Sequence, residues 1–255
     1  VSDPADFLGL SGRALVVTGA SSGIGRATAI AASRHGATVA LIGRREDALE
    51  TTRELMAGEG HLVVPLDVTE HDRLPGAFRA IADEIGPVDG LVHAAGVHET
   101  TPLRIVTAEQ AARIFDVNVT SAIMVTKAFR HAKVRGPNAS VVLMSSAVGL
   151  VGEAGVSVYA ASKAAVASLG RSLALELARE NMRVNSIAAG IVTTELTAHL
   201  REGVGSAAWE QIEAAHPLGV GTAEDVAASA LYLVSPASRW VTGTALVVDG
   251  GYTAR

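Results

Sequence analysis

Short apolar runs recur along the chain, each closed by glycine or a polar residue and followed by helically spaced apolar positions. The first run, Ala14-Leu15-Val16-Val17, enters the turn Thr18-Gly19-Ala20-Ser21-Ser22-Gly23-Ile24-Gly25, and residues 26–32 read as a helix. Gly36 stops that helix, and residues 38–42 read as a second strand. Gly43-Arg44-Arg45 ends the strand, and a helix is expected over 46–57, with Gly58 and Gly60 beyond it. A third strand is expected over 61–66, closed by Asp67, with Thr69 capping a helix that runs to Ile85. Residues 88–96 read as a fourth strand entering a glycine turn. Thr107, with Gln110 three residues on, has the capping-box pattern and opens a long helix to about Lys133. A fifth strand is expected over 140–145, a long Ala-rich helix over 159–181 and a sixth strand over 183–187. Residues 193–216 show no strand character, Thr222 caps a helix through Val234, and 245–248 is a last strand ending in Asp249-Gly250-Gly251. Strands alternate with helices throughout, which predicts an α/β fold with a doubly wound parallel sheet and helices on both faces. Ligands of such sheets bind at the carboxyl ends of the strands.

Composition sharpens this picture. Of 255 residues, 49% are apolar and only 4% aromatic, which suits buried parallel strands under close-packed helices. No Pro/Ser-rich linker or charge block divides the chain, so one domain over 1–255 is expected. A net charge of −5 without a basic stripe argues against a nucleic-acid partner. The absence of cysteine removes disulfides, thiolate catalysis and cysteine zinc sites. The eight histidines lack metal-binding spacing, so no metal is expected. Without a membrane-length apolar run or a signal-like start, no membrane partner and a cytoplasmic location are expected.

Two constellations carry chemistry. The strand–glycine turn–helix unit at 14–32 makes a phosphate cradle, because glycine admits close backbone approach and a helix N-terminus favours negative charge. Its spacing is G-x-x-x-G-x-G; the plainer alternative is an ordinary βα turn. Tyr159 and Lys163, four apart, share one helix face. A phenol of pKa ~10 is a poor catalyst near neutrality, and a neighbouring ammonium is expected to lower it. The alternative there is a packing tyrosine beside a solvated lysine.

With these pieces in order, the chain resembles the short-chain dehydrogenase/reductase family in its single-domain subtype, from about residue 10 to 252. The resemblance rests on Thr18-Gly19 with Gly23-Ile24-Gly25, Asp67-Val68, Asn118-Val119, Ser145-Ser146, Tyr159-x-x-x-Lys163 and Val248-Asp249-Gly250-Gly251. It implies a Rossmann-like fold and an oxidoreductase that interconverts a ketone and a secondary alcohol. By position, Tyr159 resembles the general acid, and Lys163 the residue that lowers its pKa and holds the nicotinamide ribose. Ser146, thirteen before the tyrosine, resembles the oxyanion-steadying hydroxyl, with Ser145 as the alternative; Asn118 resembles the support of a water relay to the lysine. The implied cofactor set is Gly19, Ser21, Ser22, Gly23, Ile24, Gly25, Asp67, Val68, Ala94, Ala95, Gly96, Tyr159, Lys163, Gly190, Val192 and Thr194. Arg44, with Arg45 beside it, matches a position that contacts the phosphate of NADP(H), so NADP(H) is expected ahead of NAD(H).

The resemblance has departures. His93-Ala94-Ala95-Gly96 stands where the family often has Asn-Asn-Ala-Gly, so two asparagines that brace the central sheet are missing. Ala189-Gly190 replaces a family Pro-Gly, which leaves that loop less stiff. For substrate, a 3-oxoacyl thioester, as in the 3-oxoacyl-[acyl-carrier-protein] reductases, stands first. An NAD-linked sugar, polyol or other secondary-alcohol dehydrogenase is the alternative, and a non-catalytic nucleotide sensor the second. The pocket is expected between 149–156 and a lid at about 193–216, with Leu196, Leu200, Trp209 and Ile212 as a lid face or a core stripe beside His199, Arg201 and Glu202. A homotetramer, or dimer, through helices 107–133 and 159–181 is implied, the Ala-rich face at Ala160, Ala161, Ala164, Ala165 and Ala167 permitting close contact. Lys127, Arg130, Lys133 and Arg135 make one helix end basic; a solvated helix C-terminus is favoured there over carrier-protein docking.

Overall fold

The structure, a computed structural model, describes residues 7–194, 197 and 205–254. Its centre is a seven-stranded sheet of β1 (Ala14–Thr18), β2 (Thr38–Gly43), β3 (Leu62–Pro65), β4 (Val88–His93), β5 (Arg135–Ser146), β6 (Arg183–Ala189) and β9 (Ala245–Val248). The order is β3-β2-β1-β4-β5-β6-β9, with every pairing parallel. A two-stranded parallel sheet, β7 (Val192–Thr193) with β8 (Gly221–Thr222), adds strand to a segment that the sequence pattern leaves without any.

Apolar side chains fill both faces of the large sheet. Val16, Leu91, Val141 and Val184 pack on one side with Phe78, Phe129 and Val166, whereas Leu15, Val17, Val92 and Val142 pack on the other with Ala29, Val226 and Leu231. Successive residues of a strand point to opposite faces, so strands buried on both sides read as unbroken apolar runs. Each fully buried Val, Leu or Phe contributes ~1.5–3 kcal/mol. The helices that cover the sheet are α1 (Gly23–Arg34), α2 (Glu46–Glu54), α3 (Leu74–Ile85), α4 (Ala108–Phe115), α5 (Ser121–Phe129), α6 (Ser157–Leu177), α7 (Ser206–Ala214) and α8 (Ala223–Val234). No helix of the described residues is long and apolar enough to cross a membrane.

Local chemistry explains where boundaries differ from expectation. Thr69 does not cap a helix; its N–H and hydroxyl both donate to Asp67 Oδ1, at 3.0 and 2.8 Å, and α3 starts only after a 3₁₀ turn at His71–Arg73. Thr107 caps α4 by accepting from Gln110 N at 3.1 Å, but the Gln110 amide donates to Glu99 and Thr101, so only half of the capping box forms. The long helix is broken by a π-helical turn over Asp116–Thr120 and ends at Phe129, well short of Lys133. At Thr222 the box is complete, with Asp225 returning the hydrogen bond.

The chain folds back after β1 to lay β2 and β3 on one side, and β4 to β6 on the other, so the strand order reverses between β1 and β4. Thr18 and His93 are register partners at the carboxyl ends of these two strands. His93, buried, replaces the brace that the missing asparagines would supply. Its Nδ1 lies 2.8 Å from Thr18 Oγ1 and its Nε2 3.1 Å from Ser121 Oγ. Ser121 Oγ donates to Val117 O, so it accepts from Nε2–H. With the imidazole neutral, Nδ1 accepts from the Thr18 hydroxyl, which itself accepts from Ala95 N. Burial first, and the Lys163 charge second, push its pKa down to about 3.

This geometry gives a pH-dependent stability term. Unfolding releases His93 to its ordinary pKa of 6.5, so the unfolded state binds the extra proton as pH falls from about 6.5 towards about 3. Stability therefore drops over that window, by up to ~1.4 kcal/mol per pH unit from this group. Urea unfolding of the protein and of His93→Asn at pH 7 and pH 5 checks it. The variant is expected to be less stable at pH 7 by ~1–3 kcal/mol and to show the shallower pH slope; parallel slopes would refute the assignment.

Candidate active site

A single continuous cavity of about 790 Å³ runs along the carboxyl ends of the central strands. That size suits an organic ligand of cofactor dimensions. One end is lined by Gly43, Arg44, Arg45, Asp67 and Val68, the middle by the first glycine turn and Ala94, Ala95 and Gly96, the other end by Ser146, Tyr159, His216 and Tyr252.

The glycine turn is shaped by backbone packing. A Cβ on Gly19, whose φ is 68°, would lie 2.7 Å from Ala95 N, and one on Gly25 only 2.3 Å from Gly19 O. No side chain fits at either place, so the turn after β1 lies directly on the turn after β4. Helix α1 then begins at the cavity wall, and its N-cap, Ser22, makes no side-chain capping bond. A helix N-terminus presented in this way favours a phosphate. The cavity length, the glycine packing and this helix end together fit a dinucleotide.

At the far end, Tyr159 and Lys163 project from the first turns of α6. Lys163 Nζ stands 5.8 Å from the Tyr159 ring centroid and donates to Met144 O at 2.9 Å. Ser146 ends β5 and lines the cavity; its hydroxyl donates to Ala189 O at 3.3 Å and lies close enough to the Tyr159 phenol to act on its pKa. A phenol, a hydroxyl beside it and a buried amine at the mouth of a dinucleotide-shaped groove can deliver a proton to a carbonyl oxygen.

Comparison with known proteins agrees. The family model described as "Enoyl-(Acyl carrier protein) reductase" matches residues 19–253. The chain belongs to the short-chain dehydrogenase/reductase family. It is an oxidoreductase of CH–OH and carbonyl groups, in a family that binds NAD(P). The enzyme is similar to cis-4-hydroxycyclohexanecarboxylate dehydrogenase of Sinomonas cyclohexanicum, with 39% identity over 95% of this chain and 97% of that one. It is also similar to the 3-oxoacyl-[acyl-carrier-protein] reductase FabG of Thermotoga maritima, at 34% identity over 95% of this chain and 98% of the relative. A crystal structure of a short-chain type dehydrogenase/reductase from Mycobacterium marinum superposes with a TM-score of 0.89 at 36% identity, covering 98% of this chain and 99% of the other.

In this fold the residues of the expected cofactor set all line the cavity: Gly19, Ser21 to Gly25, Arg44, Arg45, Asp67, Val68, Ala94 to Gly96, Tyr159, Lys163, Gly190, Val192 and Thr194. Asn118 stands apart from it. Buried in the π turn, its Oδ1 accepts from Val97 N at 2.8 Å, and its Nδ2 donates to Val97 O and Ser162 Oγ. It positions the segment after Gly96 and does not touch the cavity. The expected lowering of the tyrosine pKa by Lys163 is not what this geometry gives. Burial pushes the Tyr159 phenol up to about 12, against the hydrogen bond from Ser146 and with the Glu153 charge. Burial also brings Lys163 down to about 8, and its ammonium is turned to Met144 O.

Other expectations resolve individually. Trp209 is buried, and its Nε1 donates to Glu213 at 2.6 Å, a packing role; Ile212 lines the cavity. Leu196, His199, Leu200, Arg201 and Glu202 lie outside the described residues. Glu153 and His216 line this end from within the two expected pocket ranges, whereas sequence reasoning passed over His98 and Tyr252. His98 packs edge-on against Tyr159 with ring centroids 4.5 Å apart. Only the position of His98 just past a glycine turn hinted at it.

The paired serines both reach the cavity wall but differ in burial and partner. Ser145 is buried and its Oγ donates to Lys163 O at 2.7 Å, tying β5 to α6, whereas Ser146 is partly exposed. Ser146→Ala is expected to lower turnover by ~10²–10³-fold with the melting temperature nearly unchanged. Ser145→Ala is expected to act chiefly on stability, by ~1 kcal/mol. Steady-state kinetics beside thermal melts of both variants decide it, and the reverse pattern would exchange the two roles.

Proposed function

We propose that the protein is an NADP(H)-dependent oxidoreductase that interconverts a ketone and a secondary alcohol, with Tyr159 as general acid and base. The observation that carries this reading is the convergence of Ser146, Tyr159 and Lys163 at one end of a dinucleotide-shaped cavity. In the reducing direction, a bound reduced nicotinamide supplies a hydride to the carbonyl carbon. Tyr159, neutral at ordinary pH because burial raises its pKa, gives its phenolic proton to the carbonyl oxygen. Ser146 holds that oxygen, and Lys163, whose Nζ donates to Met144 O, would hold the nicotinamide ribose of a bound cofactor. Asn118 keeps the 96–98 backbone in place through Val97. A silent nucleotide sensor would need none of these groups. The whole chain is taken as one domain, with 193–216 as a lid over the substrate end.

Cofactor choice rests on the end of β2. An acidic residue there would bind the adenosine ribose hydroxyls and repel a 2′-phosphate, but Gly43 offers no side chain. Arg44 and Arg45 line the cavity beside Ser21; Arg45 Nη2 lies 3.5 Å from Ser21 Oγ, and Arg44, with its side chain 75% exposed, sits 3.9 Å from Asp67. Two exposed guanidinium groups at this place suit a phosphate.

Two substrate classes follow from the relatives: a 3-oxoacyl thioester and a ring-borne secondary alcohol. Carrier docking at the helix end does not decide between them: Arg130 and Arg135 share Glu180, while Lys127 and Lys133 stay exposed, so that end keeps a net positive charge. Assembly as a homotetramer, or dimer, through α4–α5 and α6 is supported by Phe115, Ile123 and Leu175, apolar and exposed on those helices. Ala167 is spent on the protein's own core.

Two experiments test the reading. Tyr159→Phe should cut ketone reduction by ~10²–10⁴-fold while NADPH still binds, as followed by cofactor fluorescence; near-normal turnover would sink the mechanism. A second measures kcat/KM with NADPH and NADH, in the unmodified protein and in Gly43→Asp/Arg44→Ala. A Cβ on Gly43 meets only Leu49 Cδ2 at 3.2 Å and Ser21 at 3.6 Å, so an aspartate can be accommodated beside Ser21. Loss of one charge-assisted hydrogen bond is worth ~1.5–3 kcal/mol, so the NADPH preference should fall by about ten- to hundredfold. A preference for NADH in the unmodified protein would show that the arginines read no phosphate.

A further inference from the structure

The substrate end of the cavity holds polar groups that proton transfer does not use. Glu153, on the exposed loop between β5 and α6, lies close enough to Tyr159 for its charge to act on the phenol. One of its carboxylate oxygens accepts from the Tyr252 hydroxyl at 3.3 Å, its only hydrogen bond among the described residues. Tyr252 in turn stacks on His216, with ring centroids 4.9 Å apart and an interplanar angle of 20°. His98 and Thr100 add polar groups here, and Val97, Val148, Val156, Ile191 and Ile212 are apolar. Among the described residues this end thus carries one carboxylate, exposed on the cavity wall and with acceptor sites to spare.

We propose that Glu153 is a specificity-determining residue whose carboxylate accepts a hydrogen bond from a hydroxyl group of the substrate. This rests on the ketone–alcohol reading above and narrows it: the enzyme takes a neutral, hydroxylated ketone and its diol partner. A carboxylate borne by the substrate would meet Glu153 as a like charge at short range, which is unfavourable. A 3-oxoacyl thioester offers acceptors and an apolar chain near its reacting carbonyl, with no donor for Glu153. A substrate hydroxyl supplies that donor. Tyr252 holds the carboxylate in place, and the stack on His216 fixes Tyr252 against the end of the lid segment.

The test is a matched panel with the full-length protein and saturating reduced cofactor: cyclohexanone, its 2-, 3- and 4-hydroxy derivatives, and 4-oxocyclohexanecarboxylate. The quantity read is the ratio of kcat/KM for each derivative to that for cyclohexanone. The best hydroxyketone should exceed cyclohexanone by about tenfold, and the carboxylate should fall below it. Glu153→Leu should bring the hydroxyketone ratio to about one, Glu153→Gln should lower it only partly because an amide oxygen still accepts, and Glu153→Lys should raise the carboxylate ratio above one. Turnover of cyclohexanone with no preference for any hydroxyketone, or a preference that survives Glu153→Leu, overturns the proposal and leaves the ketone–alcohol reading standing. No turnover of any ketone with either cofactor overturns both.

Discussion

Close backbone contact between two turns holds the active end of this protein together. The turn after β1 and the turn after β4 touch at Gly19 and Ala94-Ala95, where the space is smaller than a methyl group. The parallel register that pairs Thr18 with His93 brings those turns to the same level. From there a chain of hydrogen bonds, Ala95 to Thr18 to His93 to Ser121 to Val117, runs into the π turn that carries Asn118. Asn118 then clamps Val97, two residues beyond Ala95. The cofactor cradle and the support of the reaction chamber are therefore one closed circuit of backbone and buried polar groups. A buried circuit of this kind is stable only when each member is satisfied, which is why a neutral histidine can stand where an amide is expected.

The same burial governs Tyr159 and Lys163. Among the described residues Lys163 has no carboxylate partner; its Nζ donates to a backbone carbonyl, Met144 O. Such a cation is costly to desolvate, and its pKa falls to about 8. Tyr159 suffers the opposite shift for the same reason. Gly96 sharpens the constraint: a Cβ there would lie 3.1 Å from Asn118 Oδ1 and 3.2 Å from Lys163 Nζ. Lysine, asparagine and the second glycine turn meet at a point with no spare volume. Helical spacing places tyrosine and lysine on one face, but this crowding decides where the ammonium goes.

What was legible in the sequence follows that division. Strands buried on both faces announce themselves as apolar runs, and glycines forced by contact announce the cradle, so the sheet and the cofactor groove could be read in advance. Helix starts were readable where the cap is local, as at Thr222, and misread at Thr69, whose hydroxyl turns back to Asp67. The π turn was invisible because Asp116–Thr120 has ordinary helical composition. The brace at His93 was missed for a different reason: its partners lie 75 and 28 residues away, and no local pattern names them. Electrostatic shifts depend on burial, which the spacing of Tyr159 and Lys163 does not encode.

The substrate end is built on another principle. Its side chains come from four separate places: His98 after β4, Glu153 after β5, His216 past α7 and Tyr252 in the C-terminal turn. None of the four sits in a strand, so none is fixed by register or by packing on both faces. Each reaches the chamber from a loop whose ends are held by the scaffold. The C-terminal turn is one example, with Asp249 accepting from Gly251 N, Thr253 N and the Thr253 hydroxyl. A loop residue of this kind can change without disturbing the sheet, since its own backbone bonds are satisfied locally. Such residues can therefore differ between proteins built on the same scaffold. In this protein that freedom has placed a carboxylate, a phenol and two imidazoles around the chamber, beside apolar neighbours such as Val148 and Ile191.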